Sequence, residues 1–470
     1  MPWTGWRPTT RSASCSRPPA SKIQLANLKA NLYRQLLADL RLYHSSQNTD
    51  IQLHEQLDGA RILYNKGFYQ QSLKMLERVK LGAQQAGLPH IALEALDFEK
   101  LIESQYITRS LSGRAETLTA ESHHMLQQIG QLHALSNVSL RLYGLYIKVG
   151  HARNQQDYAK IKAFFRENLP AVPPQQAGFF EKLYYYQAQV WHHYLIHDFR
   201  SCYRYAQKWV DLFAEHEGMK ERQSILYIKG MHNLLSALFN LLYYSKFREV
   251  LQQLEAYAAT PNRRTNPNTE VLLFLYLYTN RLNLHFMEGR FSEGLQLVPE
   301  LLEKLREHQA QLDPHWQLVF YFKIASLYFG SGDNYGAIQY LSKIIQFRDS
   351  GLREDLQCFA RILNLIAHFE AGEDRALEYQ IKSVYHFLGR MNDQHQMQVE
   401  IFRFLRSLGD IQPHQLKDAF VRLRSKLALI AQDPFERRPF LYLDILSWLD
   451  SKIENIPVQE VMQRKFREMR

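Results

Sequence analysis

Residues 323–341 read KIASLYFGSGDNYGAIQYL. Ala325 is followed by an aromatic three positions later at Tyr328, a glycine seven later at Gly332 and an alanine twelve later at Ala337. This spacing predicts two helices packed closely across a tight turn. The alanines leave room for the crossing, Tyr328 fills the space beside them, and Gly332 gives the backbone the freedom that the turn requires.

The same pattern recurs along the chain. RLNLHFMEGRFSEGLQLV, around Leu282, keeps Gly289, Phe291 and a small residue at Gly294, and ARILYNKGFYQQSLKML keeps Ala60, Leu63, Gly67, Tyr69 and Ser72. Fainter copies centre on Phe199, between Val190 and Cys202, and on Phe247, between Leu238 and Val250. A last copy, Phe369 to Gln380, keeps Gly372 and Ala376 with one residue fewer between them. No segment alternates apolar and polar residues in the manner of a strand, so the fold is read as all-α.

These hairpins resemble the tetratricopeptide family, over about residues 50–400. The later copies start about 40 to 48 residues apart against roughly 34 in the standard unit, as in the extended units of kinesin light chains. The resemblance implies a right-handed superhelical solenoid of antiparallel helical hairpins. On this reading residues 1–20 are a disordered basic tail, 21–410 the repeat array, and 411–470 a C-terminal helical cap with a basic end. Ser21 has N-cap chemistry for a first helix whose apolar face runs through Leu25, Leu28, Leu32, Leu36, Leu37 and Leu40. Proline-bearing stretches at 169–174 and 260–269 are inter-hairpin loops. Pro413, Pro434, Pro439 and Pro457 separate the short helices of the cap, whose outer face must be polar.

A net charge of +10 suggests nucleic acid until it is divided along the chain. Residues 1–50 hold 7 basic and 2 acidic side chains, 51–400 hold 37 and 36, and 401–470 hold 13 and 9. Phosphate binding needs cations gathered on one surface, and the body of the chain is neutral. Residues 1–35 contain no acid, as in organelle transit peptides, but Trp3 to Pro19 is proline-bearing and lacks amphipathic period. It reads as a tail, or as sequence upstream of the native start. Cys15, Cys202 and Cys358 lie far apart without CxxC spacing, which argues against a disulfide framework or zinc site and for a reducing, cytoplasmic compartment. No run of about eighteen apolar residues occurs, so no membrane span is predicted.

Motifs for catalysis are sparse. GSGDNYG at 330–336 approaches a dinucleotide fingerprint, but a helix precedes it and its last glycine is one residue late, so it is an inter-helix turn. No GxxxxGK[ST], GxSxG or HExxH occurs. His193 and His197 share a helix face at metal-binding spacing, yet no third ligand accompanies them; they read as helix-end histidines among aromatics. No cofactor, metal or acid/base pair is predicted.

The surface with functional promise is the concave face. In tetratricopeptide proteins it is lined by the first helix of each hairpin, at sites around the small residue. Carried over copy by copy, those sites are Phe322, Ser326 and Phe329; Thr279, Asn283 and Phe286; Gln187, Trp191 and Tyr194; Leu235, Phe239 and Leu242; and Leu57, Arg61 and Tyr64. From these, Trp191, Tyr194, Phe239, Asn283, Phe286, Phe322, Ser326 and Phe329 are the candidate partner-binding residues. Relatives that clamp a peptide carboxylate place lysines, an arginine and asparagines here, whereas only Asn283 and Arg61 are of that kind among these sites. The expectation is a non-enzymatic protein–protein interaction scaffold whose groove takes an apolar or amphipathic protein segment, with Arg464, Lys465, Arg467 and Arg470 as a second contact. In long-helix repeats the same positions also serve packing against neighbouring helices, and that reading competes with ligand contact. The alternative is a nucleic-acid binder that stacks bases on aromatics and neutralises phosphates with its basic ends.

Overall fold

In the computed structural model every regular element among the described residues is helical. It describes residues 20–45, 48–105, 113–149, 151–152, 154–170, 177–216, 218–260, 266–347, 354–373, 380–381, 384–385, 387, 396–407, 411–433, 435–436 and 444–469. The basic tail at 1–19, Cys15, Ala376, Pro434 and Pro439 lie outside them. Two compact units are present, Met1–Gln131 and Leu132–Arg470.

The first unit contains α1 (Ala20–Ser45), α2 (Thr49–Asn65), α3 (Tyr69–Ala86), α4 (Pro89–Glu103) and the first half of α5 (Arg114–Val149). Asn48 caps α2 by accepting from the backbone of Asp50 at 3.0 Å. The α2–α3 crossing is close because Ala60 is fully buried and the Ser72 hydroxyl donates to its carbonyl at 2.8 Å. Leu57, Leu76, Val79, Ala83 and Leu96 fill the core. Lys80 is buried beside it, between Glu99 at 3.3 Å and Glu121 at 3.0 Å. Among the described residues none buries the leucines of α1: Leu25, Leu28, Leu32, Leu36, Leu37 and Leu40 are all exposed.

The second unit takes the rest of α5, then α6 (Gln155–Asn168), α7 (Phe179–Leu195), α8 (Phe199–Glu215), α9 (Ser224–Asn240), α10 (Tyr244–Ala258) and α11 (Pro267–Glu288). The next helix, α12, is broken: Phe291–Gly294, a 3-10 turn at Leu295–Leu297, then Val298–Glu307. There follow α13 (Pro314–Ser331), α14 (Asn334–Ile345), α15 (Glu354–Glu370) and α16 (Gln396–Ser407). The chain ends with α17 (Leu416–Ile430), α18 (Ile445–Glu454) and α19 (Val458–Met469). Helices pack mainly on their neighbours in the chain, as a helical repeat requires.

One turn joins the hairpins. After α13 the backbone N–H of Gly332 donates to Phe329 and that of Asp333 to Tyr328, with Gly332 left-handed at φ 90°. The same pair of bonds closes α2 at Gly67, α11 at Gly289 and α15 at Gly372. It also closes α7 and α9, where the left-handed residues are His197 (φ 61°) and Leu242 (φ 55°). The two faint copies are therefore full hairpins whose turn lacks its glycine. Around the turn at 330–336, an added Cβ on Gly330 would lie 2.5 Å from the Phe291 ring and one on Gly336 2.5 Å from Tyr328, so both glycines serve helix contact. Tyr328 stacks on Tyr340, 5.7 Å between centroids, beside the buried Ala325 and Ala337.

The last helix does not simply extend the stack. Gln459 Oε1 accepts from the Ser292 backbone at 3.0 Å, Gln463 donates to the Gly289 carbonyl at 3.2 Å, and Phe466 meets Tyr244 edge-on at 4.7 Å. α19 thus returns to the hairpin turns of α10 and α11.

Candidate functional site

The common turn sets a common register. Counting back from its left-handed residue, positions 13, 10, 6 and 3 fall on one face of the inner helix, because they advance by three or four residues. Three before the turn stand Tyr194, Phe239, Phe286 and Phe329; six before it stand Trp191, Ser236, Asn283 and Ser326. All eight turn toward one cavity of about 1140 Å³ within the second unit, which α5 and α19 also line.

The eight candidate residues Trp191, Tyr194, Phe239, Asn283, Phe286, Phe322, Ser326 and Phe329 accordingly all line this cavity. Phe322 and Phe329 are 4% and 7% exposed: each is wall and core at once. Gln187, Thr279 and Leu242 line it as well. Leu235 does not; it is buried in the hydrophobic core. In the first unit Leu57 is core, Arg61 pairs with Asp58 and Glu94, and the Tyr64 hydroxyl donates to Gln105.

The α9 copy was read three residues out of register. Its inner positions are His232, Ser236 and Phe239, not Leu235, Phe239 and Leu242, because the left-handed residue is a leucine and offers no glycine to anchor the count. The slip hid a polar face. Lys229, His232, Asn233, Ser236, Phe239 and Asn240 form the cavity-facing stripe of α9, and Lys323 projects from α13 beside Phe322. Clamp-type residues at the cavity therefore go beyond the expected Asn283: three lysines, Lys229, Lys323 and Lys465, and several asparagines line it.

These groups are electrostatically distinctive. Lys323 Nζ donates to Asn283 Oδ1 at 2.5 Å and lies 5.3 Å over the Phe286 ring. Among the described residues neither Lys323 nor Lys229 has a carboxylate within ion-pair distance. Desolvation alone lowers both amines, Lys323 to about 8. His232 stacks on Tyr276 at 3.9 Å and accepts from Asn280 through Nδ1, which leaves its proton on Nε2. Burial, and then the charge of Lys323, lower the His232 pKa to about 3, so the ring is neutral at pH 7. The buried Thr279 hydroxyl has no hydrogen-bond partner among the described residues. Of the acids at the cavity, Asp444 caps α18 through the Ser447 backbone, and Glu468 belongs to α19. The arrangement offers aromatic surface, amides and, among the described residues, two lysines with no carboxylate within ion-pair distance.

The other candidate features have structural partners. His193 pairs with Asp198 at 3.1 Å, His192 stacks on Phe165 at 3.9 Å, and His197 stacks on His151 at 4.6 Å. No cluster of metal-ligand side chains occurs among the described residues. Cys202 and Cys358 are buried thiols that form no disulfide among the described residues, and burial pushes the Cys202 thiol up. At the basic end, Arg464 forms two bonds of 2.6 Å to Glu454, and Lys465 pairs with Asp450 at 2.9 Å. No helix among the described residues is long and apolar enough to cross a membrane.

A comparison with protein-family models, curated proteins and solved structures yields no match.

Proposed function

We propose that this chain is a non-enzymatic scaffold of tetratricopeptide type, a right-handed solenoid whose inner face holds an amphipathic segment of another protein. One observation carries the proposal: four successive hairpins present an aromatic ring at the same position to one cavity that also contains two lysines without carboxylate partners among the described residues. The rings supply large contact area at low entropic cost. The cavity, about 1140 Å³, exceeds the roughly 300–1,000 Å³ typical of small-molecule pockets, and suits several residues of peptide.

The lysines specify the polar part of that segment. A desolvated ammonium without an anion is costly, and a ligand carboxylate beside Lys323 would relieve it. Asn233, Asn283 and Thr279 stand ready for the peptide backbone or the remaining carboxylate lone pairs. The segment is therefore aromatic or aliphatic with at least one acidic group.

A displayed random-peptide library panned against the full chain tests this. Retained peptides should be acidic and apolar, and should lose binding to a Trp191→Ala, Phe286→Ala, Phe322→Ala variant of unchanged helical content. A library that yields no binders, or binders that recognise the variant equally, defeats the proposal.

A further inference from the structure

The leucines of α1 are left exposed by the described residues, and their order carries information about what covers them. Leu25, Leu28, Leu32, Leu36, Leu40 and Tyr43 are 50–65% exposed. Read outward from Arg34 the pattern is a mirror: Leu32 answers Leu36, Leu28 answers Leu40, and Leu25 answers Tyr43. Lys29 answers Asp39 in the same way. At 3.6 residues per turn all of these project within about 60° of one direction, whereas Arg34 projects from the opposite side. Arg41 is turned from the stripe too, and is held by Asp58 of α2 at 3.2 Å.

We propose that α1 is a self-pairing surface, on which two copies of the chain dock antiparallel about a twofold axis level with Arg34. A twofold interface brings the same patch of both copies together, so every residue meets its mirror position. Leucine then packs on leucine at the centre, and leucine on tyrosine at each end, over roughly 27 Å of helix. Each Lys29 comes level with Asp39 of the second copy, twice per dimer. A parallel pair would instead set lysine against lysine and aspartate against aspartate. Charge complementarity thus selects both the occupant and its direction. A membrane-surface helix keeps its charges on a separate polar face. Here Lys29 and Asp39 both flank the middle of the apolar stripe, which favours a protein partner with the opposite charge at each level.

Sedimentation equilibrium of the full chain tests the proposal. The wild type should be a dimer, and Leu32→Lys with Leu36→Lys should yield monomers. Because those changes could also unfold α1, a charge series keeps the test independent. Lys29→Asp should weaken the dimer about tenfold, and Lys29→Asp combined with Asp39→Lys should restore it. A wild type that stays monomeric overturns the proposal, as does a dimer indifferent to the leucine substitutions. A combined charge reversal no tighter than the single one overturns the antiparallel arrangement.

Discussion

Lys323 of α13 donates to Asn283 of α11 at 2.5 Å, so two successive inner helices are tied by a cation that has no carboxylate within ion-pair distance among the described residues. That bond satisfies one of three ammonium protons and leaves the charge uncompensated in a desolvated wall. The cost is tolerable in a binding surface, where the missing anion arrives with the ligand. It also makes the residue a liability to the free protein.

Replacing Lys323 with methionine should therefore stabilise the free chain at pH 7 by a few degrees in Tm, since Met fills similar volume without the charge. The pH dependence has a definite sign. The Lys323 amine is lowered from 10.5 to about 8 in the folded state, so between these values the unfolded chain binds more protons and stability rises with pH. The advantage of Lys323→Met should be full below about pH 8 and shrink toward pH 10.5. Thermal melts of both proteins across that range check it; a variant less stable than wild type at pH 7 would contradict the desolvation argument.

An acidic peptide held in the cavity should show the opposite trend in affinity. Its carboxylate needs the Lys323 ammonium, which the free protein begins to lose as pH rises through about 8. Calorimetry with a library-selected peptide should find binding to the wild type weakening above that pH, by at most about tenfold per pH unit. The Lys323→Met variant should bind weakly with a flatter profile.

The turns make a separate prediction. Leu242 adopts φ 55°, a conformation that costs a side-chain-bearing residue roughly 1–2 kcal/mol. Leu242→Gly should raise stability by about 1 kcal/mol, measured by urea denaturation, because half of the leucine is exposed and little packing is lost. His197→Gly should gain less. That ring donates from Nε2 to the Ala152 carbonyl at 3.1 Å and stacks on His151, contacts which glycine removes.

The same residues explain how far the chain could be read in advance. Ala325, Gly332 and Ala337 were legible because a close crossing and a left-handed turn each demand a particular small residue. Gly67 and Gly289 were legible for the same reason. At His197 and Leu242 tertiary packing imposes the left-handed conformation on residues that do not advertise it, so those copies looked degraded and one lost its register. Lys229 and Lys323 carry no such signal, because nothing local separates a half-buried, desolvated lysine on an inner face from one on a solvated face. The return of α19 to the turn at Gly289 joins residues far apart in the chain, and no helical period encodes it.

That return can be tested at a single atom. Gly289 and Gly332 end equivalent helices at positive φ, 64° and 90°, so an added methyl strains both backbones, Gly332 at least as much as Gly289. At Gly332 the methyl would meet open space, and Gly332→Ala should cost only the conformational penalty of about 1 kcal/mol. At Gly289 it would lie 2.7 Å from the Gln463 backbone nitrogen and 2.8 Å from Met462 Cβ. The backbone of α19 cannot yield as a flexible side chain could, so Gly289→Ala should cost about 1–3 kcal/mol more than Gly332→Ala. It should also loosen residues 458–469, which limited proteolysis followed by mass spectrometry would detect as early cleavage. Equal denaturation midpoints for the two variants would mean that α19 does not press on this turn in solution.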